Sequence, residues 1–230
     1  MSNSPPDYFA RVTAAISLVI AIAAIAIPYK QQQEQFEEVQ REELSVNLNP
    51  YVSGVVRLTG NNLGPLGHVV QIPWELTVSN TGSRQLSIAN YELTRGDSPG
   101  ATSYSGINGG LVTRDAKPVD FPFTLEPGEM RTFLLFVGIT VSDKVFNILK
   151  GLGEGENLHR KEVTHALAKE GIDLYGNNVD YKEFEGGAYV LSVDTENQRG
   201  QRFWCVVRTG RDNSFLGSAT EYARPGANAP

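Results

Sequence analysis

Acidic and amide side chains that could bind a cation are concentrated between positions 173 and 185 of this 230-residue chain. Carboxylate and amide oxygens of this kind are the ligands that Ca²⁺ prefers. Their spacing differs from that of an EF-hand loop, so the segment favours a solvated polar loop, and a loop-bound cation is the alternative. The candidate ligands are Asp173, Asn177, Asp180 and Glu183.

Motifs that identify common hydrolases and metalloenzymes are absent from the sequence. Neither H-E-x-x-H, which holds zinc, nor G-x-S-x-G, which presents a serine nucleophile, occurs. His159 and His165 are six residues apart on a predicted helix, which places them on different faces, and with His68 they are expected to be surface histidines. The sequence therefore predicts no catalytic site, no bound metal and no cofactor.

A membrane-tethered hydrolase, or a carbohydrate-active or carbohydrate-binding protein, is the alternative from another functional class. Its site would combine the glycine-rich stretch 95–117 with the segment 171–186. This alternative predicts a concave pocket in which Asp173 and Glu183 face each other. The stretch 95–117 lacks the G-K-[ST] of a phosphate-binding loop and favours a flexible surface loop.

One apolar segment predicts a membrane anchor after a short N-terminal tail, residues 1–8. Residues 12–27 contain no charged side chain, and a helix over 9–29 would be about 31 Å long at about 1.5 Å per residue. That length spans a hydrocarbon core of about 30 Å, with aromatic residues at both interfaces. A signal peptide cleaved after Ala24-Ile25-Ala26 is the alternative. A buried helix of a soluble domain would need a polar face, which this segment lacks.

Small residues of the anchor recur at spacings of four and three and form one stripe. Stripes of this kind allow membrane helices to approach closely, so that packing can drive their association. We therefore expect the anchor to contact other membrane helices or a second copy of itself, in addition to the lipid bilayer. The stripe consists of Ala10, Ala14, Ser17, Ala21 and Ala24.

Glutamates dominate the segment that follows the anchor, where residues 30–44 predict a helical stalk. From Gln31 to Glu43, five glutamates and one arginine give a formal charge of −4, and the whole chain carries −6. With no basic stripe, this charge argues against a nucleic-acid partner. Lysine and arginine are nearly balanced across the anchor, but the glutamates and the long C-terminal domain favour an extracytoplasmic domain with a protein partner. A cytoplasm-facing scaffold is the alternative.

From Val46 onward, apolar and polar residues alternate with the period of β-strands. Residues 70–78 and 86–93 predict two strands; Pro73 places the first at a sheet edge or a bulge, and Asn90 predicts a bulge in the second. The turn Glu126-Pro127-Gly128-Glu129 predicts a hairpin between 119–125 and 130–139.

Two short helices are predicted between the central strands and the last hairpin, an insertion over about 142–186. Ser142 is expected to cap the first helix and Asn157 the second, which would end before Gly171. The last hairpin joins 189–193 to 203–207 and contains the single cysteine, Cys205, as a buried thiol. These boundaries give a β-sandwich domain over 45–210 and a disordered tail over 211–230.

The runs WELTVSNTGSRQLSI and FTLEPGEMRTFLLFV resemble those of bacterial immunoglobulin-like β-sandwich domains. In such domains an N-x-G turn closes one hairpin and an L-x-P-G-E turn precedes a strand. The resemblance covers about 46–139 and the last hairpin; the helical insertion departs from it, and the Cys…Trp…Cys pattern of antibody domains is absent. It implies an immunoglobulin-like fold and, by analogy only, a role in adhesion or assembly.

These features together predict a mainly β protein, with a transmembrane helix and a stalk before an immunoglobulin-like antiparallel sandwich that carries a two-helix insertion. The anchor and the lack of a catalytic motif predict a non-catalytic interaction or assembly module. Such a module would be an accessory subunit of a membrane complex or a surface-binding protein.

Overall fold

The computed structural model describes residues 20, 22, 24, 26–31, 42–51, 53–153, 157–183, 189–193, 201–211 and 213–221. Within these ranges the chain contains twelve β-strands, all paired antiparallel, and two short α-helices after the seventh strand, with helical residues 26–31 before the first strand and a 3₁₀ helix at Gly64–Leu66. The prediction of a mainly β chain with antiparallel sheets and few helices is therefore confirmed. The predicted tail 1–8 and most of the predicted span 9–29 lie outside the described residues.

Six strands form the larger sheet. They are β1 (Leu44–Pro50), β2 (Val55–Asn62), β3 (His68–Asn80), β5 (Asn108–Val112), β7 (Met130–Val141) and β8 (Asn157–His159). Their order is β5-β7-β3-β2-β8, and β1 lies beside β3 on the same edge as β2.

Four strands form the smaller sheet. They are β4 (Leu86–Arg95), β6 (Phe123–Leu125), β11 (Gln201–Thr209) and β12 (Ser214–Glu221), in the order β12-β11-β4-β6. A separate two-stranded ribbon pairs β9 (Val179–Glu183) with β10 (Tyr189–Val193), and the helices are α1 (Asp143–Gly151) and α2 (Arg160–Lys169).

Alternate residues of the two sheets face each other and form one apolar core. Trp74 of β3 and Phe203 of β11 are both fully buried, and their rings meet edge to face with centroids 5.1 Å apart. Because a strand turns successive side chains to opposite faces, the alternation that predicted these strands also selects their inward residues.

Pro73 lies in the middle of the most extensively paired strand, and its pairing with β7 shows no register shift, so the prediction of a sheet edge or a bulge is wrong. Its carbonyl accepts a hydrogen bond from the Tyr51 N–H at 3.2 Å, where β1 ends and β2 has not begun. In a strand the N–H and C=O of one residue point to the same side. The missing N–H of Pro73 therefore faces the one gap on that edge and removes no ladder bond.

The strands on either side of the Glu126–Glu129 turn belong to different sheets, so the predicted hairpin is wrong. The turn itself forms, with the Glu129 N–H donating to the Glu126 carbonyl at 2.9 Å. However, β6 pairs with β4, whereas β7 pairs with β3 and β5. β3 and β4 likewise lie in different sheets, so both turns form arches that carry the chain from one sheet to the other.

The side chain of Asn80 joins the two arches. It is fully buried, and its amide nitrogen donates to the carbonyls of Arg84 at 2.6 Å and Leu125 at 3.0 Å. Its amide oxygen accepts from the Gly82 N–H at 3.1 Å, and its own backbone carbonyl accepts from the Gly128 N–H at 2.9 Å. One residue therefore fixes the geometry of both crossings.

Pairing near the C-terminus differs from the predicted last hairpin. β10 pairs with β9, and β11 pairs with β4 and β12. The tail predicted from residue 211 onward is wrong up to Glu221, because β12 is a strand of the smaller sheet; residues 222–230 lie outside the described part. At Gly217 a Cβ would lie 3.0 Å from the Val46 carbonyl oxygen, so the glycine allows β12 to pack closely against β1.

Two of the predicted helix ends are confirmed and one is wrong. The Ser142 hydroxyl accepts from the Val145 N–H at 3.4 Å, and Gly171 has a φ of 72° with the paired carbonyl bonds of a Schellman motif. Asn157 does not cap α2, because residues 157–159 pair with β2 and His159 takes the N-cap position. The bulge predicted at Asn90 is confirmed by a register shift there between β4 and β11.

The segment before β1 is bonded to the β11–β12 hairpin and to the arch between β3 and β4. The Glu42 carboxylate lies 3.2 Å from an Arg211 guanidinium nitrogen and accepts from Asn213 at 2.7 Å, while the Glu43 carbonyl accepts from the N–H groups of Thr81 and Gly82. Leu44, the last residue of the predicted stalk, begins β1 instead, and positions 32–41 lie outside the described residues. No helix within the described ranges combines the length and apolar character that crossing a bilayer requires.

Candidate functional site

The carboxylate of Asp173 organises a tight loop. One oxygen accepts from the N–H groups of Tyr175 and Asn177, each at 2.8 Å, and the other accepts from the Asn177 side-chain amide at 2.8 Å. Asn177 is buried and Tyr175 nearly so. These bonds turn the carboxylate toward protein N–H donors, which gives Asp173 a role in loop structure.

The other predicted cation ligands do not converge on Asp173. Asp180 lies in β9, 3.6 Å from the exposed Lys182 ammonium, and Glu183 ends the same strand opposite Tyr189. Among the described side chains, no group of three histidine, cysteine or acidic residues is arranged to hold a metal ion.

A surface cleft of about 370 Å³ lies beside the start of α2. It is lined by Ser53, Gly54, His159, Arg160, Lys161 and Glu162. The Arg160 guanidinium donates to the Tyr51 carbonyl at 2.8 Å, so it helps to hold the β1–β2 connection. Neither Asp173 nor Glu183, the carboxylates of the hydrolase alternative, lines this cleft.

The stretch 95–117 is held against the sheets, so the prediction of a flexible surface loop is wrong. It contains β5, and the Tyr104 hydroxyl donates to the Gly138 carbonyl at 2.6 Å. Burial raises the pKa of Tyr104, although the nearby Arg95 acts in the opposite direction. A Cβ on Gly138 would lie 2.1 Å from the Gly106 carbonyl oxygen, which shows how closely this stretch crosses β7.

The outer face of the larger sheet is covered by the protein itself. Val69 and Phe136 point away from the core, yet both are buried. The Arg57 guanidinium carbon lies 3.3 Å from the centroid of the Phe136 ring, and loss of water around it lowers the pKa of Arg57. Gly109 lies so close that a Cβ would be 2.7 Å from Phe136. This face therefore leaves little apolar surface for a partner.

The histidines lie on separate elements, and His68 is not the simple surface residue that was expected. Its ring stacks on Phe146 with centroids 3.9 Å apart, and its Nε2 lies 3.2 Å from the Asp143 carboxylate. The prediction of a core thiol is confirmed: Cys205 is fully buried, and burial raises its pKa to about 12.

The outer face of the smaller sheet presents a partly exposed strip that we call the Trp204 strip. Leu216 of β12 is 46% exposed and lies directly opposite Val206 of β11. Trp204 and Arg202 follow on the same face of β11, and the Arg202 guanidinium carbon lies 4.3 Å from the centroid of the Trp204 ring. The strip consists of Arg202, Trp204, Val206 and Leu216.

Sequence reasoning placed 203–207 in a strand but drew no conclusion about the residues on its outer face. The available signal was the alternation along β11, in which Phe203, Cys205 and Val207 point inward. Their neighbours must then point outward, and a tryptophan at an outward position of a half-buried strand is a candidate for contact with a partner.

The predicted anchor stripe is largely outside the described residues, which include only Ala24 of its five members. Residues 26–31 are helical, and Ile27 and Tyr29 are 58% and 67% exposed. Comparison of the chain with protein-family models, with curated proteins and with solved structures finds no match.

Proposed function

We propose that this protein is a single-pass membrane protein that acts by binding, as an accessory or assembly subunit of a membrane complex or as a surface-binding module. In this proposal residues 9–29 span the bilayer, a stalk follows, and an immunoglobulin-like sandwich is presented on the extracytoplasmic side. The partners are the lipid bilayer, other membrane helices and an extracytoplasmic protein. No cofactor takes part.

The proposal rests on one observation: residues 12–27 carry no charge, and the large apolar side chains described between positions 20 and 29 are exposed. Large apolar side chains in a soluble protein are normally covered when they occur in a cluster. Ile20, Ile22, Ile27 and Tyr29 are all more than half exposed, so the folded domain does not supply their cover. A bilayer would cover them, because its hydrocarbon core accepts helices that are apolar all round.

The described surface supports binding more than catalysis. The carboxylate of Asp173 is bound within its own loop, and the described cleft contains one glutamate among basic residues. The Trp204 strip, by contrast, has the tryptophan and arginine that dominate the binding energy of many protein interfaces.

The first experiment tests the anchor by washing membranes that contain the full chain with alkaline carbonate. We expect the protein to remain in the membrane pellet, and an Ile20→Lys variant to be depleted from it, because a lysine near the centre of a span costs about 2.5–3.5 kcal/mol. Recovery of the unaltered chain in the wash would rule out the anchor.

The second experiment tests assembly by mild detergent extraction and chemical crosslinking from native membranes. A double variant, Ala14→Leu with Ala21→Leu, should lose its crosslinked membrane partners because it blocks the close approach of the stripe. Ile16→Leu, which keeps the volume on another face, is the matched control. Equal partner recovery from all three forms would remove the stripe from the proposal.

A further inference from the structure

The Trp204 strip has an unsatisfied arginine at one end. The Nε of Arg202 is buried, and it has no hydrogen-bond partner among the described residues. No described carboxylate forms an ion pair with this guanidinium, whereas Arg208 on the same face lies 3.2 Å from Glu92. Because Nε is closed off from solvent, only the terminal N–H groups of Arg202 can meet an acceptor that comes from outside.

The Trp204 ring is held in place by the protein itself, without a partner. The Trp204 indole N–H donates to the Gly96 carbonyl at 2.9 Å, which fixes the ring orientation. Contact with that ring restricts the Arg202 guanidinium in turn, and its terminal N–H groups, unlike Nε, stay available as hydrogen-bond donors. Because less side-chain freedom is lost on binding, a fixed pair of this kind favours affinity.

The two sheets differ in whether their outward apolar residues are covered by other parts of the protein. On the larger sheet, Arg57 and the stretch around Gly109 cover Phe136. On the smaller sheet, Leu216 stays 46% exposed beside Val206. Both sheets carry an arginine on an aromatic ring, but among the described residues it is the smaller sheet that combines this pair with an exposed apolar side chain.

We propose that the Trp204 strip docks a peptide segment of a partner protein in which a carboxylate lies next to an aromatic or aliphatic side chain. The carboxylate accepts hydrogen bonds from Arg202, and the apolar side chain packs on Trp204, Val206 and Leu216. Guanidinium and carboxylate groups match in geometry and charge, and form two parallel hydrogen bonds. This inference rests on the proposed binding function and names the surface and the chemistry of its partner.

Charge complementarity favours this occupant over a second copy or an anionic bilayer. The chain carries a formal charge of −6, so two copies repel each other, as do the protein and an anionic lipid surface. A short segment with one carboxylate brings little of this repulsion and gives an acceptor to the terminal N–H groups of Arg202, which form no ion pair with a described carboxylate.

The test uses the full chain in detergent and a displayed library of random twelve-residue peptides. Selected peptides are then measured by fluorescence anisotropy against the unaltered chain, Arg202→Gln and Leu216→Ser. The matched controls are Arg114→Gln, an exposed arginine paired with Glu75 on the other sheet, and Leu66→Ser, a leucine that is 64% exposed elsewhere. Thermal unfolding of each variant checks that it is folded.

We expect the selected peptides to share an aspartate or glutamate near an aromatic or aliphatic residue. Their Kd should rise about tenfold for each strip variant, as expected for a contact at the centre of an interface, and should be unchanged for both controls. Peptides without an acidic residue, or equal Kd values for all five proteins, would overturn the proposal.

Two further measurements complete the test. One distinguishes the proposed peptide from lipid or a second copy, and the other distinguishes failure of the docking surface from failure of the binding function. Arg202-dependent binding to phosphatidylglycerol vesicles, or dimerisation lost in Leu216→Ser during analytical ultracentrifugation, would overturn the proposal in favour of lipid or a second copy. If native membranes yield a crosslinked partner for the strip variants as well as for the unaltered chain, the docking surface is wrong and the binding function stands. If the unaltered chain yields no partner, the binding function itself fails.

Discussion

Replacing Asn80 should destabilise the fold more than any other single polar substitution in the two arches. The side chain makes three hydrogen bonds from a fully buried position, and they connect the turn after β3 to the end of β6. Asn80→Ala removes all three bonds. Asn80→Asp keeps the shape but brings carboxylate oxygens against the carbonyls of Arg84 and Leu125, where the amide had donated.

The expected loss in unfolding free energy depends on whether water can reach the groups that lose their hydrogen bond to Asn80. Arg84 and Gly82 are partly exposed, so water replaces the lost bonds there and each costs about 1 kcal/mol. Leu125 is fully buried, and its carbonyl without the Asn80 donor costs about 1–3 kcal/mol. The sum is about 3–5 kcal/mol, which is a large part of the roughly 5–15 kcal/mol that stabilises a typical domain.

Guanidinium chloride unfolding of the full chain in detergent measures this loss, with the fluorescence of the buried Trp74 as the probe. Asn47→Ala is the matched control, because that asparagine lies on an exposed position of β1, where its side chain donates a hydrogen bond to the Ser45 hydroxyl. We expect the control to stay within about 0.5 kcal/mol of the unaltered protein, as surface substitutions usually do. An Asn80→Ala protein equally close to the unaltered one would refute the role assigned to this residue.

Three more predictions concern residues elsewhere in the two sheets. The Cys205 thiol, buried and with its pKa raised to about 12, should resist alkylation by iodoacetamide at pH 8 until the protein is unfolded; rapid labelling of the native protein would contradict its burial. The backbone N–H of Glu126 and the Arg131 guanidinium lower the pKa of Glu129, so its stabilising effect is present above the unfolded pKa of about 4.3 and is lost as the pH falls through the folded value. The difference in unfolding free energy between the unaltered protein and Glu129→Gln should therefore shrink from pH 6 to pH 3, and a constant difference would count against it. Gly138→Ala should cost about 1–3 kcal/mol or more in thermal unfolding, because the new methyl group would lie 2.1 Å from the Gly106 oxygen. Gly151→Ala, which meets no atom within 4 Å, is its control, and similar melting temperatures for both would refute the clash.

Local signals in the sequence identified many of the elements. The alternation from Val70 to Val78 predicted β3, the broken alternation at Asn90 predicted its bulge, and Ser142 and Gly171 marked helix ends. Each of these signals acts within a few residues, through side-chain direction, a cap or a positive φ. Predictions made from these signals therefore do not depend on how the rest of the chain folds.

The partners of the strands were not predictable in the same way. The Glu126–Glu129 turn has the residues of a type II turn whether it closes a hairpin or an arch. The choice depends on β6 meeting β4 and on Asn80 bonding to Leu125, contacts that are about forty residues apart in the chain. β12 was missed because a strand of serine, glycine and alanine carries a weak alternation signal. Its position depends on Gly217 meeting Val46 across the sheets.

The same limits apply to the site. Asp173, Asn177, Asp180 and Glu183 are close in sequence and carry the right chemistry, but Asp173 is bound by its own loop and Asp180 lies near Lys182. The Trp204 strip depends on the pairing of β11 with β12 and on the hydrogen bond between the indole and Gly96, so no single segment of the sequence predicts the whole strip.

The double attachment of Glu42 and Glu43 has a mechanical consequence. β1 and β12 run in the same direction across the gap between the sheets, since Glu42 meets Asn213 and Val46 meets Gly217. A pull on the preceding segment is first divided between the Arg211 ion pair and the carbonyl bonds to the arch. The remaining load acts along β1 and shears its antiparallel pairing with β3, so these hydrogen bonds resist together instead of opening one at a time. A force applied to the chain before Glu42 is therefore transmitted to both sheets.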